Sequence, residues 1–323
     1  VEYFSVQTLT LGMFNVWIGM NSISAASQIA IVTFVFIIIL LVLERKARSS
    51  QKYNDTSKRL NNISPKELSL KKALFAICFC LVPISVGFIV PIIILINNVF
   101  IGLKPDSFFA SFPVLLNTIF IGLTATLIII LLAFFSASSA YFSKNRALVI
   151  IYNIAATGYA LPGTMLAIGV VIFFGFLDNF TGNIVFLGGT IYGVIFALTV
   201  RFYAVPYGGV ISGYSRIPSN LFDASKSFGY STISTSYKIT LPLIRTSVIA
   251  AAILTFVDIV KELPMTLILR PFNFETLATY TYQFAHDELM IEASLPAFFI
   301  IITGLIPILL LQNQLNSFFH SKN

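Results

Sequence analysis

Seven long apolar runs restrict the folds open to this chain more than any other feature. They cover approximately residues 24–43, 73–96, 113–135, 148–176, 183–200, 243–261 and 295–311. A helix needs about 20 apolar residues to cross roughly 30 Å of hydrocarbon, and it satisfies its own backbone hydrogen bonds there. Barrel strands would show alternating runs of about ten residues, and these runs are unbroken and longer. A soluble fold is excluded by composition. Of the 323 residues 57% are hydrophobic and 10% charged, against about 25% charged in soluble domains. The expected fold is an all-α integral membrane protein. The fourth run is too long for one straight span, and Gly158, Pro162 and Gly163 within it predict a kink or a break into two helices.

The net charge of +7 is distributed as a topology pattern rather than a binding patch. Nine of the twenty Lys and Arg residues fall within residues 45–72, beside one span. With residues 141–147, 201–245 and Lys322, seventeen basic residues lie on one side of the predicted membrane, while Lys104 and Arg270 lie on the other and Lys261 ends a span. Cytoplasmic loops collect Lys and Arg, so the loop before residue 242 and the C-terminus are expected in the cytoplasm, and Val1 outside. No interleaving of aromatic and basic residues suggests nucleic acid. Residues 44–72 are charged and rich in Ser and Asn, and they read as a solvated connector. It divides a one-span segment, residues 1–43, from a six-span unit, residues 73–318. The first twenty residues lack the basic stretch and short apolar core of a signal peptide; this reading expects an earlier span ahead of them. Cys78 and Cys80, two apart in an apolar run, read as small apolar residues rather than as a disulfide or a metal site.

Between the fifth and sixth runs lies a polar stretch, residues 223–242, DASKSFGYSTISTSYKITLP. Pro218 and Ser219 offer a helix start, with Ser219 as N-cap. Leu221, Phe222, Ser225 and Phe228 fall near one helical face, and Gly229 can end the helix in a left-handed conformation. A second helix would begin near Ser231 or Thr232, with Ile233, Tyr237 and Leu241 recurring every four residues. Pro242 would break the register before the next span. Two short amphipathic helices outside the membrane suit docking into a groove on a soluble partner, or lying in the lipid headgroups.

The stretch resembles the EAA loop of type I ABC importer permeases, whose pattern is E-A-A, three residues, G, nine residues, I, one residue, L-P. Asp223, Ala224 and Ser225 occupy the first three places, and Gly229, Ile239, Leu241 and Pro242 fall at the others with the expected spacing. Asp replaces Glu and Ser replaces the second Ala. The resemblance implies that the loop, at about residues 216–242, couples to an ATP-binding subunit. GYALPGTMLAIG (158–169) and DIVKELPMTLILRPFNFETLATYTYQFAHDELMIEASLP (258–296) are similar to the C-terminal half of the iron(III) importer permeases. Members of that group fuse two permease halves, and FNVWIGMNSISAASQIA (14–30) looks like the start of the last span of a first half. The resemblance implies a type I ABC permease bundle of six spans preceded by one extra span, in a bacterial inner membrane. It also implies partners: an ATP-binding subunit dimer, an extracytoplasmic substrate-binding protein, and the missing first permease half or a second permease.

No G-x-x-x-x-G-K-[ST] phosphate loop occurs, so ATP hydrolysis is assigned to a separate subunit. The chain carries no catalytic constellation and no metal-ligand cluster, and no cofactor is implied. Two alternatives remain: an ABC permease for thiamine or another small cation, and an ion-driven secondary transporter. The second would place its site on broken helices, and the 158–163 break is the feature in its favour.

Asp258, Lys261 and Glu262 sit at the end of the sixth run, at spacings that put Lys261 and Glu262 on the face of Asp258. One reading is an Asp258–Lys261 pair that locks packing; the other is an acidic gate on a cation path. Fe(III) prefers oxygen ligands, so Tyr159 and Tyr192 are candidate transient contacts, with helix packing or interface anchoring as the alternative. Asp287, Glu288 and Glu292, in a run with a helical look, offer a contact surface for the binding protein or a plain solvated segment.

Overall fold

The computed structural model describes residues 6–49, 68–143, 145–182 and 189–320. The connector expected over 44–72 and the first residues of the fifth run, 183–188, lie largely outside them. Among the described residues all regular elements are helical. α1 (Leu9–Phe14) passes through a wide π turn, Asn15–Gly19, to α2 (Ile23–Ser49). α3 (Leu70–Ile84) and α4 (Val90–Gly102) make one rod through a second π turn, Ser85–Ile89. α5 (Pro105–Phe142) has 38 residues, about 57 Å of helix. The fourth run is broken as its Gly and Pro residues predict: α6 (Arg146–Ala155), a 3₁₀ turn at Ala156–Ala160, then α7 (Gly163–Phe180).

α8 (Ile191–Phe202) and α9 (Ala204–Ser215) meet at a 45° bend. α10 (Ser219–Ser227) and α11 (Thr232–Thr235) form a hairpin, and a third π turn, Ser236–Thr240, leads into α12 (Leu241–Val260). α13 (Pro264–Leu269), α14 (Leu277–His286) and α15 (Met290–His320) complete the chain. Six of these rods are long and apolar enough to cross a membrane, and α8 with α9 makes a seventh if counted as one span.

Two expectations are corrected here. The fifth helical run does not end at Val200: α8 runs to Phe202 and α9 follows the bend to Ser215, so Arg201 lies on a helix, paired with Glu262, and not in a loop. Nor does Pro242 break the helix, which runs from Thr232 to Val260. Proline lacks an N–H and crowds the carbonyl four residues back. The preceding turn widens instead: the Leu241 N–H bonds to Ser236 O, five residues back, and Pro242 follows. Val90 and Ser85 repeat the arrangement ahead of Pro91. One extra residue in the turn absorbs the conflict without ending the rod.

Burial defines two layers. Ile121, Ala125 and Ile129 of α5 pack with Ala167 of α7, Leu198 of α8, Ile259 of α12 and Met265 of α13. Toward the hairpin, Phe134 of α5 packs with Tyr207, Val210 and Tyr214 of α9, Phe222 of α10 and Ile244 of α12. Small residues let these helices approach, as in other membrane bundles: a Cβ on Gly209 would meet that of Ala251 at 3.0 Å. α2 packs on α7 through Ala26, Ala30 and Ile168, with Met13 of α1 beneath them.

Candidate functional site

The hairpin α10–α11 is held by aromatic and hydroxyl contacts. Phe222 is buried against Tyr141 and Phe142 at the end of α5, with ring centroids 5.1 and 5.2 Å apart. Ser225 donates to Thr235 Oγ1 at 2.7 Å, closing α10 onto α11. The helix start differs by one residue from expectation. Pro218 holds the N-cap position and Ser219 the first helical one, so Ser219 makes no capping bond. Ser231 caps α11 by accepting from the Ser234 N–H at 3.3 Å. Gly229 takes φ +78°, ending α10 as expected.

The predicted face of Leu221, Phe222, Ser225 and Phe228 divides. Phe222 and Ser225 point inward, while Leu221 is exposed and Phe228 is 82% exposed. Asp223, Ala224, Ile233 and Tyr237 are exposed too, whereas Ile239 and Leu241 are half-buried. The hairpin therefore presents Phe228, Ile233 and Tyr237 outward on a fixed backbone. Ile233 and Tyr237 also line a cavity of about 240 Å³ against Phe134, Phe135 and Ser138 of α5.

A second polar centre lies in the other layer. Three chain breaks meet there: the 3₁₀ turn before α7, the bend between α8 and α9, and residues 261–263 between α12 and α13. The Glu262 side chain, 2% exposed, takes an ion pair from Arg201 Nη1 at 3.0 Å. Its oxygens also accept from the Met265 N–H, the Thr266 N–H and Thr266 Oγ1, each at 3.1 Å. The carboxylate thus satisfies the N–H groups at the start of α13, which have no partner within the helix, as well as the arginine. Burial pushes its carboxyl above the ordinary value, against the pull of the Met265 N–H, Arg201 and Thr266. Gly163 leaves room for the pair: a Cβ there would stand 2.1 Å from Arg201 Nη1 and 2.9 Å from Glu262 Oε1. Thr164 Oγ1, next to Gly163 in sequence, and Arg201 Nε are buried with no hydrogen-bond partner.

Glu262 therefore does not join the face of Asp258 as its spacing suggested. α12 ends at Val260, and the chain turns before Glu262. Asp258 and Lys261 do pair, at 2.8 Å, but the Lys261 side chain is 61% exposed. Exposed pairs contribute about 0–1 kcal/mol, so Lys261→Met is expected to lower thermal stability in detergent only slightly. A loss as large as that of a buried pair would show that Lys261 is covered in the working assembly.

The remaining candidates are dispersed. Tyr159 packs edge-on to Phe202 at 6.2 Å, and Tyr192 stands about 14 Å along α8 from Arg201, exposed. Asp287, Glu288 and Glu292 do not share one helix. α14 ends at His286, Glu288 turns the chain with φ +60°, and Glu292 lies in the first turn of α15. Glu292 lines a cavity of about 310 Å³ with Lys104, Ser107 and Tyr280.

Sequence reasoning missed Arg201, which it had placed in a loop, and Glu275. The Glu275 carboxylate binds Arg270, Thr279 Oγ1 at 2.6 Å and Gln283 Nε2 at 3.0 Å. Asn117 and Thr118 of α5 hold the same segment through Glu275 O and the Leu277 N–H. The cue available in sequence was the isolated charge of Arg201 within an apolar context, which demands a partner.

No protein-family profile matches the chain. Over 183 residues it is 26% identical to the "spermidine/putrescine transport system permease protein PotC homolog" of Mycoplasma genitalium, covering 53% of this chain and 58% of that protein. The chain thus matches somewhat over half of that relative's length. A bacterial ABC transporter that imports the acidic polysaccharide alginate superposes with a TM-score of 0.61 at 14% identity, over 76% of this chain and 95% of the other. The same kind of transporter, in complex with a periplasmic protein carrying an alginate pentasaccharide, gives 0.60 at 16%, over 75% and 93%. The MetNI methionine ABC transporter, inward facing, gives 0.51 at 15%, over 65% and 99%. The bundle shares its fold with these ABC importer structures, and with its long apolar helices the chain is a multi-pass membrane protein.

Proposed function

We propose that the chain is the membrane-spanning subunit of an ATP-driven importer, and that the hairpin α10–α11 docks on a separate ATP-binding subunit in the cytoplasm. The observation that carries this reading is the hairpin itself. Phe228, Ile233 and Tyr237 stand outward on a backbone braced by Ser225, Thr235 and Phe222, which is the form of an apolar anchor presented to a groove. The concentration of Lys and Arg on that side supports a cytoplasmic position. Closure of an ATP-bound dimer would draw two such hairpins together and shift the bundle between its open states. We further assign α2, which packs on α7, to a preceding permease half, and the outer side to an extracytoplasmic binding protein.

For cargo we propose ferric iron, on the resemblance of residues 258–296 to iron(III) permeases. A polyamine is the second reading, favoured by the similarity to a permease homologue named for spermidine and putrescine. Uptake of radiolabelled Fe(III) and of spermidine, each supplied on its binding protein to vesicles holding the assembled complex, separates them.

The docking assignment is tested at Gly229. With φ +78° and nothing within 4 Å of a would-be Cβ, a side chain there is opposed by backbone conformation and not by crowding. That costs about 1 kcal/mol or more, and most for a β-branched residue. Gly229→Val is expected to insert in the membrane but to lose roughly tenfold in association with the ATP-binding subunit. Gly229→Asn, which tolerates the left-handed region, should retain most of it. Normal association and uptake by Gly229→Val would refute the assignment.

A further inference from the structure

We propose that a chain of buried hydroxyl groups transmits displacement of the hairpin to the bend between α8 and α9, with Tyr203 and Tyr214 as its positioning residues. The inference rests on the docking role of the hairpin. Its first link is inside the hairpin, where Thr235 Oγ1 donates to Ser231 O at 2.9 Å and so accepts from Ser225. The next residue, Ser236, opens the π turn and accepts from the Tyr214 hydroxyl of α9 at 3.3 Å. That hydroxyl also lies 2.5 Å from Ser138 Oγ of α5. Two residues further along α5, Ser136 gives its proton to Leu132 O at 2.7 Å and is hydrogen-bonded to the hydroxyl of Tyr203. Tyr203 is the residue between α8 and α9, at the bend itself. Two residues before it stands Arg201, held by Glu262.

All seven hydroxyl-bearing side chains in this series belong to buried residues. The hydrogen bonds form three links, Ser225–Thr235, Ser236–Tyr214–Ser138 and Ser136–Tyr203, joined by the main chain between Thr235 and Ser236 and along α5 between Ser138 and Ser136. A buried hydroxyl stripped of its partner carries a desolvation penalty, so each link resists separation of the two elements it joins. The main-chain route from hairpin to α12 runs instead through the wide turn at Ser236–Thr240, where helical hydrogen bonding is already altered. The hydroxyls thus join the hairpin sideways to α9 and α5. The aromatic rings are packed independently of their oxygens: Tyr203 stacks on Tyr207 at 5.4 Å, and Tyr214 lies 4.9 Å from Tyr141. Tyr→Phe at either position therefore removes the link and leaves the packing.

The test uses the chain assembled with its ATP-binding subunit in lipid nanodiscs. Cys78 and Cys80 are replaced by alanine, and spin labels are placed at Tyr192→Cys and Ser212→Cys, exposed positions on α8 and α9. Pulsed spin-resonance distances are read with and without a non-hydrolysable ATP analogue. The parent is expected to change its label distance on adding nucleotide. Tyr203→Phe and Tyr214→Phe should bind the subunit and hydrolyse ATP as the parent does, with the ratio of nucleotide-shifted to unshifted molecules reduced about fivefold for each lost hydrogen bond. If both variants keep the parental shift, the hydroxyl chain transmits nothing and the proposal fails. A parent that binds the subunit but shows no shift overturns the bend as the moving element. A parent that binds no such subunit overturns the docking reading itself, and the relay with it.

Discussion

Glu262→Ala is expected to destabilise the folded chain by about 3–5 kcal/mol, the range found when one partner of a buried ion pair is removed. Arg201 would keep its charge inside the bundle without a counterion, and the Met265 and Thr266 N–H groups would lose their acceptor. In detergent this should lower the apparent melting temperature by about 10 °C. The size of the loss does not mean that the pair contributes as much to stability. The Glu262 side chain is 2% exposed, so the cost of taking its charge out of water offsets part of what the ion pair and hydrogen bonds supply. The double variant Glu262→Gln with Arg201→Met therefore should recover most of the loss: it leaves no unpaired charge, and the amide oxygen still accepts one N–H of α13. A Glu262→Ala chain melting within about 2 °C of the parent would mean that the three breaks do not close around this carboxylate.

Gly158→Ala should be comparably severe, for a steric reason. A Cβ on Gly158 would lie 2.2 Å from Val200 O, a backbone atom of α8. No rotamer change relieves such a contact, and the 3₁₀ turn must move off the helix. Forced overpacking of a core costs about 1–3 kcal/mol and more where backbone has to shift, so folded yield and melting temperature should both fall. Gly163→Ala provides the contrast. Its Cβ would strike the end of the Arg201 side chain, which can withdraw, but only by leaving Glu262. Its cost should then overlap with that of Glu262→Ala in a double-mutant cycle, whereas Gly158→Ala should add to it. Gly169→Ala, with nothing within 4 Å, is the control and should be neutral or slightly stabilising in mid-helix. If Gly158→Ala behaved like Gly169→Ala, the turn would not rest on α8.

The fold was largely legible because its strongest determinants are local. Runs of about twenty apolar residues can satisfy their backbone in lipid only as helices, and the spans follow. Pro162 announced the break ahead of α7, and Gly229 the end of α10, since each acts on its own φ and ψ. Gly158 and Gly163 marked the same break, but their role there is close approach to α8 and to the Arg201–Glu262 pair. Pro242 misled, because its effect depends on whether the preceding turn can widen. Phe228 misled similarly: its spacing matches Phe222 and Ser225, but only packing decides that Phe222 meets Tyr141 and Phe142 while Phe228 faces out.

By itself, then, the sequence determined the membrane class, the helical spans, the position of the hairpin and the residues at which the chain turns. Each of these depends on solvent transfer or backbone conformation within a few residues. The tertiary structure alone decided which charges and hydroxyls meet. Asp258 and Lys261, three apart, could be paired by spacing, whereas Arg201 and Glu262 are separated by 61 positions and meet because Gly158 and Gly163 let three broken helices close to contact. The same holds for Tyr214 with Ser138 and Tyr203 with Ser136. A polar group in an apolar helix signals that a partner exists, since leaving it unpaired is costly. Which partner it finds depends on how α5, α9 and the hairpin pack around it, and no period along the chain carries that information.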